Sequence, residues 1–324
     1  MHLDEIEIIP IAAESLGVRS LCTMVRTPDV SILLDPSAAL AKRYTLEPHP
    51  FEYQALRKVL DEIQAHVKEA SILSISHYHY DHIRPGFENY LYNLCTRDER
   101  KKMFAGKIVY AKDNRENINT SQRRRGYYFL KDVGPVIGEI QWADGRSFSI
   151  GDTTITYSQP LPHGTNLSPL GFVLATTIEY SGLRFLFAPD IQGPTSKDTL
   201  AYILSIAPDL AIIGGPPLYL DQFSIGNAQS ALFCLSVLAA SIPTLVVDHH
   251  NMRGGDWMTW SKPILNACNE TGHRLLSMAE LAGKDEQYLE SIRKQLYLTH
   301  PPSEDFLNWT HAPEEYKVQN MPPF

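Results

Sequence analysis

The sequence has little cysteine, and none of it stands at the spacing of a metal or disulfide framework. Cys22, Cys95, Cys234 and Cys268 are dispersed, and three of them lie among apolar neighbours. That pattern argues against a thiolate metal site and against disulfides, and it predicts buried, reduced thiols. No apolar run is long enough to cross a bilayer as a helix, so no membrane partner is expected. The opening residues Met1-His2-Leu3-Asp4-Glu5 carry acids where a secretory leader carries bases, and the expected location is cytoplasmic. Basic charge is in deficit too: 29 Lys and Arg stand against 37 Asp and Glu, a net charge of −8. This weighs against a general nucleic-acid binder, although a local patch would suffice. Gly214-Gly215 lacks the Gly-Lys-Ser/Thr ending of a phosphate loop and reads as a tight backbone turn. No Ser-His-Asp or Cys-His motif for nucleophilic catalysis stands out.

What is present is an alternation of strands and helices. Glu5 to Ala12, Ser20 to Arg26 and Val30 to Leu34 read as strands, the last ending at Asp35-Pro36. Leu56, Val59, Leu60, Ile63 and Val67 fall at helical spacing, which predicts an amphipathic helix from Pro50 to Ala70. Ser71 to Ser76 is a short apolar strand leading into His77. Residues 86–132 read as a helical, basic insertion broken by a strand at Lys107 to Ala111. Phe172 to Tyr180 and Leu183 to Ala188 read as a hairpin turning at Ser181-Gly182. Asp209 to Gly214 and Thr244 to Asp248 are apolar strands between helices. Ala279 to Tyr297 reads as a helix, and the tail from Pro301 as a coil packed over the body. Two similar halves of this kind fit an α/β fold of two packed sheets flanked by helices. No linker divides the chain, so a single domain over 1–324 is expected, with a C-terminal helix plus tail over about 279–324.

Residues 77–82 read His-Tyr-His-Tyr-Asp-His, four candidate ligands within six positions. Neutral imidazole and carboxylate suit zinc, iron and manganese. On a loop after a strand, His77 and His79 can face one metal while Asp81 and His82 turn to a second. A lone histidine is usually a packed one, but a cluster at this spacing after a buried strand is a specific motif.

His-x-His-x-Asp-His resembles the signature of the metallo-β-lactamase superfamily, and the resemblance spans roughly residues 5 to 255. It implies a four-layer αββα sandwich and further ligands at strand ends. His163 in Pro-Leu-Pro-His-Gly, Asp190 in Phe-Ala-Pro-Asp, and the pair His249-His250 stand at such places. The resemblance implies that His77, His79 and His163 hold one metal. Asp81, His82 and one of His249 or His250 hold the second, and Asp190 bridges. Asp35 matches a supporting carboxylate that steadies a ligand histidine or the motif loop. His249 with Arg253 four residues on matches a spacing seen in the nuclease-type branch, which favours His249 as ligand. His250 is then a candidate proton donor, or a packed histidine. Ile83-Arg84-Pro85-Gly86 departs from the usual small, glycine-rich turn after the motif. Gly17-Val18-Arg19-Ser20 and Gly214-Gly215-Pro216-Pro217 are similar to a mainly archaeal branch of metal-dependent hydrolases.

The chemistry so implied is hydrolysis by a metal-activated water at two divalent ions, zinc first, manganese or iron otherwise, with Asp81 orienting the water or taking its proton. The substrate expected is a small phosphoester or other anionic molecule, or nucleic acid. Lactone, ester or thioester hydrolysis is the alternative, and a non-hydrolytic di-iron or scaffold member a further one. The di-iron electron-transfer branch normally carries glutamate where this chain has His79. Arg19, Arg84 and Arg253 lie beside site segments and are candidates for an anionic substrate group, or for pairing with carboxylates. From Arg97 to Lys131 there are eleven Lys and Arg against four Asp and Glu, including Arg123-Arg124-Arg125 before Gly126-Tyr127-Tyr128-Phe129. The plainer reading is a solvated helix face with its aromatics turned inward. The alternative is a surface for phosphates and bases.

Overall fold

The structure, a computed structural model, describes residues 1–166, 168–255 and 257–324. Seven strands cross the first sheet in chain order: β1 (His2–Leu3), β2 (Ile6–Pro10), β3 (Thr23–Arg26), β4 (Ser31–Leu34), β5 (Ile72–Ile75), β6 (Ile108–Ala111) and β7 (Glu139–Trp142). Neighbours from β1 to β4 are antiparallel, and those from β4 to β7 are parallel. The second sheet repeats the plan. It begins with β8 (Ser147–Ile150) and β9 (Thr153–Tyr157), and a separate ribbon of β10 (Leu161–Pro162) and β11 (Phe172–Val173) follows in the chain. It continues through β12 (Thr176–Tyr180), β13 (Leu183–Ala188), β14 (Leu210–Gly214), β15 (Thr244–Asp248) and β16 (Arg274–Leu276). Pairing is antiparallel up to β13 and parallel from β13 to β16.

Residues of the central strands alternate between two buried environments, which is why β4, β5, β14 and β15 are apolar along most of their length. Ile32, Leu34 and Ile72 meet Phe185, Phe187, Leu210 and Ile212 in a core between the sheets. Their sequence neighbours Leu33 and Leu73 pack outward with Leu56, Val59, Ile63 and Phe129 of helices α1 (Pro50–Glu69) and α4 (Thr120–Val133). Leu186, Ala211 and Ile213 likewise face Leu235 and Leu238 on the other side. The outer layer on the first sheet also contains α2 (Tyr90–Asn93) and α3 (Arg97–Phe104). That on the second is built from α5 (Lys197–Ile206), α6 (Ile225–Ser241), α7 (Trp257–Trp260) and α8 (Lys262–Thr271). The result is the expected four-layer αββα sandwich. The hairpin β12–β13 turns at Ser181 and Gly182, both with positive φ, as a two-residue turn between right-twisted strands requires.

Three expectations are corrected. Residues 86–132 are not an insertion, because β6 lies between β5 and β7 in parallel register. Parallel neighbours need crossovers, and the flanking helices supply them. Ala279 to Tyr297 is not one helix. It breaks into α9 (Met278–Leu281) and α10 (Arg293–Thr299). Gly283 turns left-handed after the first piece, and Gln287 and Glu290 between them are held by Ser15, Arg19 and Arg43. The tail is helical, not coil: α11 (Glu304–His311) and α12 (Glu314–Gln319). Ser303 caps α11, and Phe306 and Trp309 pack edge-on against Tyr53 of α1. Among the described residues no helix is long and apolar enough to cross a membrane. All four cysteines are buried and free.

Candidate metal centre

Candidate ligands gather where the parallel strands end, the usual place for a site in an α/β sheet. β4 delivers Asp35, β5 the 77–82 loop, β13 Asp190, and β15 His249 and His250. Asp35, Asp190 and His249 have φ of 47°, 49° and 78°. Left-handed backbone is costly for side-chain-bearing residues, and here it turns each off its strand and into the crevice. Gly214 at the end of β14 makes room for this, since a Cβ there would stand 2.4 Å from the Asp190 nitrogen.

Asp190 is the hub. Its Oδ2 lies 2.9 Å from His163 Nε2, 3.1 Å from His77 Nε2, 3.5 Å from His82 Nε2 and 3.7 Å from His79 Nδ1. Its Oδ1 lies 2.9 Å from His249 Nε2 and 3.6 Å from His250 Nε2. Around it the side chains form two groups whose donor atoms lie within 4.8 Å of one another: His77, His79, His163 and Asp190; and Asp81, His82 and His249. Two further such groups are Asp190, His249 and His250, and Asp35, His77 and His82. Thus every residue expected to ligate is in the cluster, and both histidines of the 249–250 pair reach it.

Behind the rings stand two carboxylates. Asp35 Oδ2 is 2.8 Å from His82 Nδ1 and accepts from Ser76 Oγ at 2.6 Å, while its Oδ1 accepts from the Ser76 nitrogen at 2.8 Å. It thus touches both a motif histidine and the backbone that leads into the motif loop. Glu14 Oε2 is 2.7 Å from His249 Nδ1. Sequence reasoning missed Glu14. The only local signal is an acid in a stretch of small and apolar residues just after a strand, the setting that marks Asp35.

Each of the three arginines meets a partner within the protein, the second of the two readings expected for them. Arg19 pairs with both oxygens of Glu290, at 2.6 and 2.7 Å. Arg84 is buried and donates to the carbonyls of Asn93 and Leu94. Arg253 is buried, bonds Glu14 through Nε at 2.6 Å, and places Nη2 3.5 Å from Asp81 Oδ2. Each satisfies a partner that a substrate would otherwise have to displace.

Electrostatics follow from this crowding. Burial opposes ionisation of Asp190, but His82, His249, His163 and His250 together hold its carboxyl well below the usual range. Burial, with His82 beside it, holds His77 neutral, and burial with Arg253 and His249 does the same for His250. His249 is raised to about 9, because Glu14 and Asp190 outweigh burial. Four carboxylates (Asp35, Asp81, Asp190 and Glu14) face one guanidinium, Arg253, among the described residues. The excess negative charge draws protons onto His82 and His249, the same demand that a divalent cation would meet. Among the described residues, His77 Nε2, Asp190 Oδ1 and both ring nitrogens of His250 are buried without a hydrogen-bond partner. Orphaned ligand atoms converging in this way fit a metal site.

Fold and cluster are those that the resemblance of the His-x-His-x-Asp-His motif to the metallo-β-lactamase signature implies. The chain belongs to the UPF0282 family. It is 37% identical over 292 residues to the UPF0282 protein of Methanopyrus kandleri, covering 89% of this chain and 98% of that one. It is 38% identical over 294 residues to that of Pyrococcus furiosus, covering 90% and 92%. No family model matches the chain. Solved structures with a similar course include CmlA, a diiron β-hydroxylase from Streptomyces venezuelae, at 14% identity and TM-score 0.45. That match takes in 85% of this chain but only 53% of CmlA. Tm1679, described as a metal-dependent hydrolase of the β-lactamase superfamily, matches at 12% identity and TM-score 0.43, over 83% of this chain and 94% of Tm1679.

Proposed function

We propose that the protein is a hydrolase with two divalent ions at this centre, acting on a phosphoester or another anionic ester. The observation that carries the reading is Asp190, buried, with one oxygen facing the group of His77, His79 and His163 and the other facing His249. In this reading His77, His79 and His163 hold one ion, Asp81, His82 and His249 the other, and Asp190 is shared. The donor set suits zinc, and manganese or iron as well. Ions bound there would acidify a water and polarise the ester oxygen.

The chain's own groups do the rest. Asp35 and Glu14 accept from the Nδ1 atoms of His82 and His249, which fixes each ring with Nε2 toward Asp190. Asp81, at the rim of the cluster with its side chain 17% exposed, takes or directs the proton of the attacking water. His250 is 13% exposed, its ring has no hydrogen-bond partner among the described residues, and it passes a proton to the leaving group. An anionic substrate beside it would raise its proton affinity against the burial that keeps it neutral.

Metal-loaded protein is expected to hydrolyse bis(p-nitrophenyl) phosphate. His249→Ala should lower metal content more than His250→Ala, which should keep its metal and lose about 100-fold in turnover. If His250→Ala lost the more metal, the two roles would be exchanged. Turnover of lactones or neutral esters alone would overturn the anionic substrate.

A further inference from the structure

We propose that the cavity on the far side of the motif loop binds a nucleoside monophosphate unit, the phosphate on Arg124 and Arg125 and the base among the rings of Tyr80 and Tyr128. The inference deepens the reading of the metal centre by naming the part of the substrate that is recognised. It rests on that reading for the reaction, though not for the binding.

Helix α4 is docked directly on the loop that carries the ligands. Gly126 lies on the Tyr78 ring so closely that a Cβ would stand 3.0 Å from it. Arg125 Nη1 donates to the Tyr78 carbonyl at 3.3 Å, and its guanidinium lies 4.4 Å from the Tyr80 ring centroid. Tyr80 sits between His79 and Asp81 in the chain and forms part of the cavity wall. One six-residue loop is thus shared by the candidate metal centre and the cavity.

The cavity, of about 570 Å³, falls within the span typical of small-molecule sites. Its charge is opposite to that of the protein. Arg97, Arg100, Arg124, Arg125 and Lys131 line it, against Asp132 as the acid. Asp132 is already engaged, 2.6 Å from Arg100 Nη2. Arg100 is 3% exposed, yet its Nε is buried without a hydrogen-bond partner among the described residues. A buried guanidinium donor left unsatisfied is costly, and an anion is the group that would relieve it.

Charge alone would suit any anion, but the rings narrow the choice. Only Phe129 of the run Tyr127-Tyr128-Phe129 turns into the core, so the expectation of inward aromatics is corrected. Tyr128 is 45% exposed and Phe87 42%, both on the cavity wall, and Phe87 meets Tyr80 edge-on at 5.5 Å. Aromatic faces beside arginines, at a cost in exposed apolar surface, suit a ligand with a planar ring next to a phosphate. The net charge of −8 and the cavity's size favour one nucleotide over a long duplex.

The test is calorimetric binding of adenosine 5′-monophosphate to metal-loaded full-length protein, with inorganic phosphate and a short single-stranded RNA as competitors. Saturable binding is expected, weakened at least about tenfold in Arg124→Ala/Arg125→Ala. Tyr128→Ala should weaken the nucleotide but not inorganic phosphate. Displacement by the RNA at lower concentration than by free nucleotide would identify the source as a strand, and the reverse a free nucleotide. Asp190→Ala should retain nucleotide binding, so this inference can stand if the metal centre fails and fall if the metal centre holds. Absence of saturable binding, binding indifferent to the arginine pair, or equal effects of Tyr128→Ala on nucleotide and phosphate would overturn it.

Discussion

Replacing Asp190 with alanine is expected to remove at least one metal equivalent and to lower hydrolysis of an activated phosphodiester by more than about 100-fold. Groups behind metal ligands typically cost about 10–100-fold when removed, and a shared ligand should cost more. Both oxygens stand against imidazole nitrogens, Oδ2 against His163 and His77, Oδ1 against His249. The fold should survive, because Asp190 contributes no apolar packing and sits at the end of β13 rather than within it. Asp190→Asn is the companion variant. It keeps the volume and tolerates the left-handed backbone at φ 49°, so that lost metal cannot be ascribed to local strain. Full metal retention in both variants would refute the shared role. Equal loss of metal and of folded protein in the alanine variant alone would assign the effect to structure.

The largest stability effect is expected at Glu14. This carboxylate is 4% exposed and joins His249 Nδ1 to Arg253, which is itself 2% exposed. Glu14→Ala leaves a buried guanidinium with only the more distant Asp81 beside it, a loss of about 3–5 kcal/mol. It also frees the His249 ring, so metal affinity should fall by about 10–100-fold. Arg253→Met in the Glu14→Ala background should recover much of the stability, since deleting both partners of a buried pair costs far less than deleting one. It should not recover the metal affinity, because the His249 acceptor is still missing. Urea unfolding with metal titration separates the two effects. An unchanged unfolding midpoint in Glu14→Ala would mean that water, not the carboxylate, balances Arg253.

The centre was legible in the sequence to the extent that its information is local. His77, His79, Asp81 and His82 lie on one short loop, so their juxtaposition follows from spacing. His163, Asp190 and His249 each follow an apolar strand, and strands of one sheet end side by side. What lies behind the ligands was harder to read. Glu14 meets His249 across 235 residues and Arg19 meets Glu290 across 271, distances over which no periodicity carries. For the same reason Arg19, Arg84 and Arg253 looked available for substrate, although each is consumed by a partner that only the fold supplies. The fold was legible in its two-sheet plan and not in its edges. The 86–132 segment reads as an insertion because its helices are polar and basic, whereas the four apolar residues of β6 place it in the sheet. The 279–297 periodicity is real, but Gly283 and the Glu290 ion pairs break it. The tail's prolines suggested coil, yet Ser303 and Pro313 start helices.

The central claim is that this cluster is a two-metal centre. Elemental analysis of the purified protein, repeated after dialysis with zinc, manganese or iron(II), tests it most directly. The account predicts about two equivalents of one divalent ion per chain, on the rule that closed sets of imidazole and carboxylate donors bind such ions tightly. A protein that stays folded and takes up no metal under any of these conditions would contradict it.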